Sequence, residues 1–323
     1  MSTATVSRTM SGQGPVSEAT RTRVLRVAER LSYQPSAAAR SLRTRRTMII
    51  GVLVPDLANP VWVAFLRGVE HVAESRGYSV LVIDARRSAA VERRALGRLR
   101  AQGVDALVHA GRAGASTQFA ELRSAGIVVV DAGLGASGQR SLIADLERPG
   151  TIAMCDALAE LGHRRVAYVS RERVAGPAGR RRLRAIRERC QELGVGVDHH
   201  SLGRAQAPTD IAARIGAALH GPRPVTAVVC GSHGLAPAVL RGLRIAGVEL
   251  PRGCSLVTYG DSDWAEAYRP AISVVTLDLH QVGVAMATET VAQLAGDRIA
   301  NAGPRLDPAR FLERESVASP ASC

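Results

Sequence analysis

The chain has 323 residues, long enough for two or three folding units, and 46% of them are hydrophobic, enough for a large buried core. No run of about 18 apolar residues occurs and no basic stretch leads into an apolar h-region, so neither a membrane span nor a secretory signal is expected, and the expected location is the cytoplasm. The formal net charge is +13, all its basic residues being arginine, since the sequence contains no lysine.

A GC-rich coding bias raises Arg, Ala and Gly together, so the position of the charge is more informative than its sum. The first 46 residues carry a net +7, against +6 over the remaining 277. A dense basic head on a nearly balanced body suggests that the head binds a polyanion. The five cysteines (Cys155, Cys190, Cys230, Cys254 and Cys323) are odd in number and show no C-x-x-C spacing. That argues for reduced thiols rather than a disulfide framework or a zinc site.

In chain order, Thr3 to Met10 reads as a short helix capped by Ser2, with Val6 and Met10 facing inward. Its outer face would carry Thr3, Ala4, Thr5, Ser7 and Arg8, small polar groups and one arginine that suit base edges and phosphates. Residues 18–31 read as a second helix, with Val24, Val27, Ala28 and Leu31 on one stripe, Ser17 as N-cap and Glu18 favouring the positive helix start. After Pro35, the alanine-rich stretch 36–43 predicts a third, short helix that is marginal alone and needs a partner.

From Met48 the pattern changes. Short apolar runs at 48–54, 79–84, 104–109 and 127–131 alternate with amphipathic stretches at 60–76, 89–102 and 116–125. This is repeated β-α, hence a parallel sheet with helices on both faces. A second series follows: helices near 150–161, 179–193, 209–219, 235–246 and 281–294, and strands at 165–170, 225–230, 255–259, 273–277 and near 311–315. Two α/β lobes are expected, with any ligand in a cleft at the carboxyl ends of their strands.

Enzyme readings find little support. Gly133 to Gly138 spells G-x-G-x-x-G after a strand, but Ser141–Asp145 reads as extended rather than as the helix a dinucleotide fold requires. No Walker motif, G-x-S-x-G or H-E-x-x-H occurs. His199-His200 reads as an exposed pair without ligand partners at usable spacing. No catalytic activity, cofactor or metal is expected.

An ordered set of segments resembles the lactose-repressor (LacI/GalR) family of bacterial transcription regulators. It comprises Ala4-Thr5-Val6-Ser7-Arg8, Val16-Ser17, Leu31-Ser32-Tyr33-Gln34-Pro35, Ala39-Arg40-Ser41-Leu42-Arg43-Thr44 and Ile50 to Asp56 with Asn59-Pro60. Gly162-His163, Val248-Glu249-Leu250-Pro251 and Pro270 to Val275 extend it. Each piece is weak, the order is specific, and the set covers nearly the whole chain. The resemblance implies an α/β, two-lobed, periplasmic-binding-protein-like core over 47–323, preceded by an all-α helix-turn-helix head over 1–46 with a hinge helix at 36–43. Residues 3–8 would be the recognition helix in the major groove, with Thr5, Ser7 and Arg8 at its characteristic positions. Tyr33 would touch the DNA backbone, and Ala39 and Leu42 would enter the minor groove. Ser17 and Ser36 complete the expected DNA-contacting set. The implied partners are double-stranded DNA with a palindromic operator, a second copy of the chain, and a small-molecule effector such as a sugar or another small metabolite.

The sequence departs from the pattern in two places. Met1 stands almost on the recognition helix, so the head is expected to be truncated, lacking the first helix of its pair. Two explanations compete, codons missing upstream or a shortened, DNA-impaired protein. In the expected effector cleft, Arg182 matches the family's gripping arginine, although the run Arg180-Arg181-Arg182 reads equally as a solvated face. The family's Asn-Asp pair is Ser232-His233, the first Asp of Gly-Phe-Asp-Asp is Gly260 with Asp261 following, and a ring near residue 208 is Pro208. Trp62 and Phe65 either line the cleft or are plain core. The expectation is therefore a dimeric, effector-modulated repressor. The alternative is a ligand-binding module that has lost DNA binding.

Overall fold

The computed structural model describes residues 2–11, 14–31, 41, 44, 46–111, 116–132, 142–171, 177–202, 208–297 and 305–320. The chain divides into two compact units, residues 1–48 and 49–323. No helix among the described residues is long and apolar enough to cross a membrane.

The first unit holds α1 (Thr3–Ser11) and α2 (Glu18–Arg30). Ser2 caps α1, its Oγ accepting from the Thr5 N–H at 3.2 Å. The inward face of α1 differs from the expected one: Thr9 is buried and bonds the Thr5 carbonyl at 2.9 Å, while Val6 and Met10 are only half-covered. Ser17 stands at the N-cap of α2, but its hydroxyl bonds Thr20 Oγ1 at 2.9 Å instead of a backbone N–H. Of the expected stripe on α2, only Val24 is buried, whereas Val27 and Leu31 are 39% and 67% exposed. Among the described residues of this unit α1 is what packs on α2, and its nine residues cover only part of the stripe.

The second unit begins with β1 (Ile49–Val54), an unbroken apolar run because both of its faces are covered. It pairs in parallel with β2 (Ser79–Asp84) and β3 (Ala106–His109), and β3 pairs with β4 (Val128–Asp131), giving the order β2-β1-β3-β4. The crossovers are α3 (Val61–Ser75), α4 (Ala89–Ala101) and α5 (Ser116–Ser124). One polar cluster lies inside this lobe. His109, at the end of β3, is fully buried, with Nε2 2.8 Å from Glu92 Oε1 on α4 and Nδ1 2.9 Å from Asp131 Oδ1 on β4. Phe119 of α5 meets the imidazole edge-on, at 4.7 Å between ring centroids.

The second lobe is entered through α6 (Leu142–Glu160). The extended reading of 141–145 and the helix start near 150 are corrected here, because α6 begins two turns earlier and runs through Pro149. Its buried face explains why propensity is overridden: Ile143 and Glu147 point inward, Gly150 lies against the Ala309 backbone, and Ala309 N–H donates to the Leu146 carbonyl at 2.8 Å. Then follow β5 (Arg165–Ser170), α7 (Pro177–Glu192), β6 (Gly196–Ser201), α8 (Pro208–His220), β7 (Ala227–Cys230), α9 (Ala236–Ile245), β8 (Ser255–Tyr259), a short α10 (Asp263–Ala267), β9 (Ser273–Thr276), α11 (Leu279–Ala295) and β10 (Arg310–Leu312). The sheet order is β10-β9-β8-β7-β5-β6, parallel throughout except for β10, which runs antiparallel to β9.

Strand β6 was not expected from Gly-Val-Asp-His-His-Ser, and His199 and His200 are half-buried rather than exposed. This polar edge strand is held by side chains. Arg165 grips Asp198 with bonds of 2.6 and 2.7 Å, and Ser170 bonds His199 at 2.8 Å. The core of the second lobe fills both faces of its sheet, with Ile211, Val239 and Leu243 on one side and Met154, Ile186 and Tyr168 on the other.

Helix α11 leaves the second lobe and packs on the first, against α3, β3 and β4. The α3–α11 crossing is a contact of two glycines. A Cβ on Gly68 would lie 2.2 Å from the His280 carbonyl oxygen, and one on Gly283 would lie 2.2 Å from that of Phe65.

Candidate functional site

Both sheets of the core aim the carboxyl ends of their strands at one cleft of about 250 Å³. From the first lobe, Asn59 and Trp62 follow β1 and Arg87 follows β2. From the second, Ser170 and Arg171 close β5, Ser232 and His233 follow β7, and Gly260 and Asp261 follow β8.

The floor is an ion pair among aromatic rings. Arg182 of α7 meets Glu147 of α6 in a bidentate pair, its Nε 2.8 Å from Oε2 and its Nη2 2.5 Å from Oε1. Nη1 donates to the Gly231 carbonyl at 2.7 Å, and the guanidinium lies 4.5 Å over the Tyr259 ring. Burial works against the charge of Arg182, but Glu147 outweighs it and holds the pKa above its ordinary value. The Thr151 hydroxyl donates to the Glu147 carbonyl at 3.0 Å, so the Tyr259 hydroxyl is the donor in its own 2.8 Å contact with Thr151. Tyr168 donates to the Gly179 carbonyl at 3.2 Å, and a Cβ at Gly231 would fall 2.4 Å from its hydroxyl. Arg182 is thus cleft-lining and paired, not a solvated member of its arginine run.

His233 is committed to the protein. Its Nδ1–H donates to the Gly260 carbonyl at 3.0 Å and its Nε2 accepts from Ser262 Oγ at 2.8 Å, with the ring on Trp264. Burial lowers its pKa, which fits the neutral ring that this pairing demands. Gly260 has φ +90°, and a Cβ there would stand 2.7 Å from Val61 Cγ1. Val61 thus takes the room an aspartate would need, a physical reason for the glycine found there. Asp261 lines the cleft, yet both its oxygens are held by Arg314, at 2.9 and 2.7 Å.

Of the expected effector residues, Trp62, Arg182, Ser232, His233 and Asp261 converge on the cleft. Phe65 does not: it is fully buried beneath Trp62, the two rings edge-on at 5.7 Å, and belongs to the core under α11. Sequence reasoning missed Glu147, Tyr168, Tyr259, Asn59 and Arg171. The tyrosines carried a signal, since a phenol inside an aliphatic strand run must find a polar partner. Glu147 carried none, because Leu-Glu-Arg-Pro reads as a loop.

Replacing Glu147 with Gln is expected to cost about 2 kcal/mol, below the range for a fully buried pair because some solvent reaches both groups. Urea unfolding checks this. The double replacement Glu147→Leu with Arg182→Leu should recover most of the loss, since it leaves no unpaired charge.

In the head, Ala4 and Arg8 are exposed on α1, Thr5 is half-buried with its hydroxyl 2.9 Å from Ser2 Oγ, and Thr3 and Ser7 lie on the same helix. Ser17 is exposed at the start of α2. Tyr33, Ser36, Ala39 and Leu42, and with them all of the expected hinge helix but Ser41, lie outside the described residues, as does Gly133–Gly138.

Comparison with known proteins agrees with these two parts. Residues 1–36 match the family model described as bacterial regulatory proteins, lacI family, and residues 155–317 match a periplasmic binding protein-like domain. The HTH-type transcriptional regulator PtxS of Pseudomonas putida is 30% identical over 319 residues, covering 95% of this chain and 89% of that protein. A transcriptional regulator CelR–cellobiose complex superposes with a TM-score of 0.68 at 26% identity, covering 97% of this chain and 95% of the other. The Lac repressor dimer bound to operator and an anti-inducer superposes with a TM-score of 0.79 at 19% identity, covering 98% and 95%.

Proposed function

The chain belongs to the lacI family of bacterial regulatory proteins, and from that premise we propose that it represses transcription as a homodimer on a two-fold symmetric operator, under the control of a small molecule held in the interlobe cleft. The observation that carries this reading is the pairing, in one chain, of a basic helical head with a core whose two sheets converge on a cleft. Exposed Ala4 and Arg8 on α1 face the groove, with Thr5 beside them. Ser17 and the remaining arginines of the head meet phosphates, which take most protein–DNA contacts. Among its relatives in structure, one is a dimer on operator DNA and one holds cellobiose, which supports both halves of the reading. Ligand in the cleft favours one arrangement of the lobes, and the operator is gained or lost by that difference in affinity.

Fluorescence anisotropy on duplex from the gene's own promoter tests the DNA half. The expected result is binding above that of a scrambled duplex, with log K falling linearly in log salt. Arg8→Ala is expected to weaken it by about 1–3 kcal/mol if the side chain reads a base, and to flatten the salt slope by about one if it meets a phosphate. Equal affinity for promoter and scrambled duplex overturns the repressor reading and favours a ligand-binding module.

A further inference from the structure

We propose that the small molecule of the cleft is a polyhydroxylated anion whose acidic group is held by Arg171; this rests on the effector reading above. Among the described residues three arginines line the cleft, and two are already neutralised by the protein. Arg182 is clamped by Glu147, and Arg87 lies 3.6 Å from Asp56. The lining acid Asp261 is likewise neutralised by Arg314. Arg171 differs. Its guanidinium makes one bond, from Nη2 to the Gly234 carbonyl at 2.6 Å, and no carboxylate among the described residues lies within ion-pairing distance. Four of its five N–H donors therefore await an acceptor. Half-buried and without a counter-charge, this guanidinium is placed to take a ligand carboxylate or phosphate in a bidentate contact.

A second observation places the hydroxyl-bearing part. Asn59 of the first lobe is 7% exposed, and its Oδ1 is buried with no donor. It lies over Gly234, where an added Cβ would be 3.8 Å from its own Cβ, so the unmet acceptor and the unmatched cation meet at one residue, one from each lobe. Asp278, also lining the cleft, uses Oδ1 to cap α11 at 3.0 Å from Gln281 N. Its other oxygen can accept from a hydroxyl. A neutral sugar would satisfy Asn59 and Asp278 but leave Arg171 unmatched, whereas a sugar acid or sugar phosphate satisfies all three.

Both tryptophans of the chain report on this place, Trp62 in the lining and Trp264 against His233. The test titrates the full chain with gluconate, glucose 6-phosphate and glucose at constant ionic strength, following tryptophan fluorescence. At least one anion is expected to bind about tenfold or more tightly than glucose, and the better of the two tells carboxylate from phosphate. Arg171→Gln should abolish that preference while leaving the urea midpoint unchanged, and Arg171→Lys should retain part of it. Glucose binding as tightly as both anions, a preference that survives Arg171→Gln, or no response to any of the three in the millimolar range each overturns the proposal. Promoter binding measured on the same preparation separates these failures from failure of the regulator reading.

Discussion

Gly283→Ala is expected to destabilise the two-lobed core by about 3 kcal/mol, at or above the upper end of the usual cost of overpacking. The added methyl would fall 2.2 Å from the Phe65 carbonyl oxygen and 3.2 Å from Val69 N, and these are backbone atoms of α3 that cannot rotate away. Gly68 is in the same position towards His280 and Val284 of α11, so the two helices touch backbone to backbone from both sides. Relief requires the helices to part, which uncovers Phe65, now fully buried, and shifts Trp62 one turn earlier on the same helix. A drop in the urea midpoint without a change in slope is the expected reading. Gly97→Ala supplies the opposite sign. It lies inside α4 with nothing within 4 Å of the added carbon, and alanine there should stabilise by about 0.5–1 kcal/mol. Equal effects at the two positions would refute the close-contact account.

The second large effect is expected at His109. Replacing it with Leu removes the ring that bonds both Glu92 and Asp131 and sets an apolar side chain against two carboxylates, Glu92 fully buried. At pH 6, where the raised pKa keeps the ring charged, the expected loss is about 3 kcal/mol, the low end of the range for breaking a buried ion pair from one side. The wild-type cluster also makes a pH prediction. Burial lowers the pKa of His109, but hydrogen bonds and charge from Asp131 and Glu92 outweigh it, and the folded value lies above 6.5. The charged ring therefore contributes fully below about pH 6.5, and that contribution is lost as pH rises through the raised folded value. Following the imidazole by NMR should show a ring that stays protonated past pH 6.5, with the unfolding midpoint falling as it deprotonates. A ring that titrates at or below the ordinary value would contradict this.

Most of the core was legible because its strands are short apolar runs between amphipathic helices, and that alternation is a period signal. The strand over 255–259 is found where it was expected. What escaped was set by tertiary contacts. Gly-Val-Asp-His-His-Ser has no apolar alternation and becomes an edge strand through Arg165 and Ser170. The first two turns of α6 contradict Pro149 and form because Ile143 and Glu147 have somewhere to be buried. The cleft was half-legible. Positions at strand ends could be placed from the resemblance, but whether a polar group is free or spent depends on partners far away in sequence. Asp261 is tied by a residue 53 positions later and Arg182 by one 35 positions earlier. Phe65 was left between cleft and core for a related reason, because helical spacing puts it near Trp62 but does not show that α11 covers it.

The return of α11 to the first lobe has a consequence for where the chain can be cut. The stretch from Ile49 to Asp131 contains all four described strands of that lobe's sheet, and a designer seeking a minimal ligand-binding fragment would stop there. Such a fragment would lack the helix that seals α3, and its exposed glycine seam would invite any apolar helix at hand. The stretch 155–317 fails in the complementary way, since it opens inside α6 and carries away a helix whose packing partners lie a hundred residues or more upstream. Neither lobe is heritable as a contiguous piece of sequence, so exchange of ligand specificity between relatives by recombination has to move the whole of 49–323 at once or be confined to individual cleft side chains.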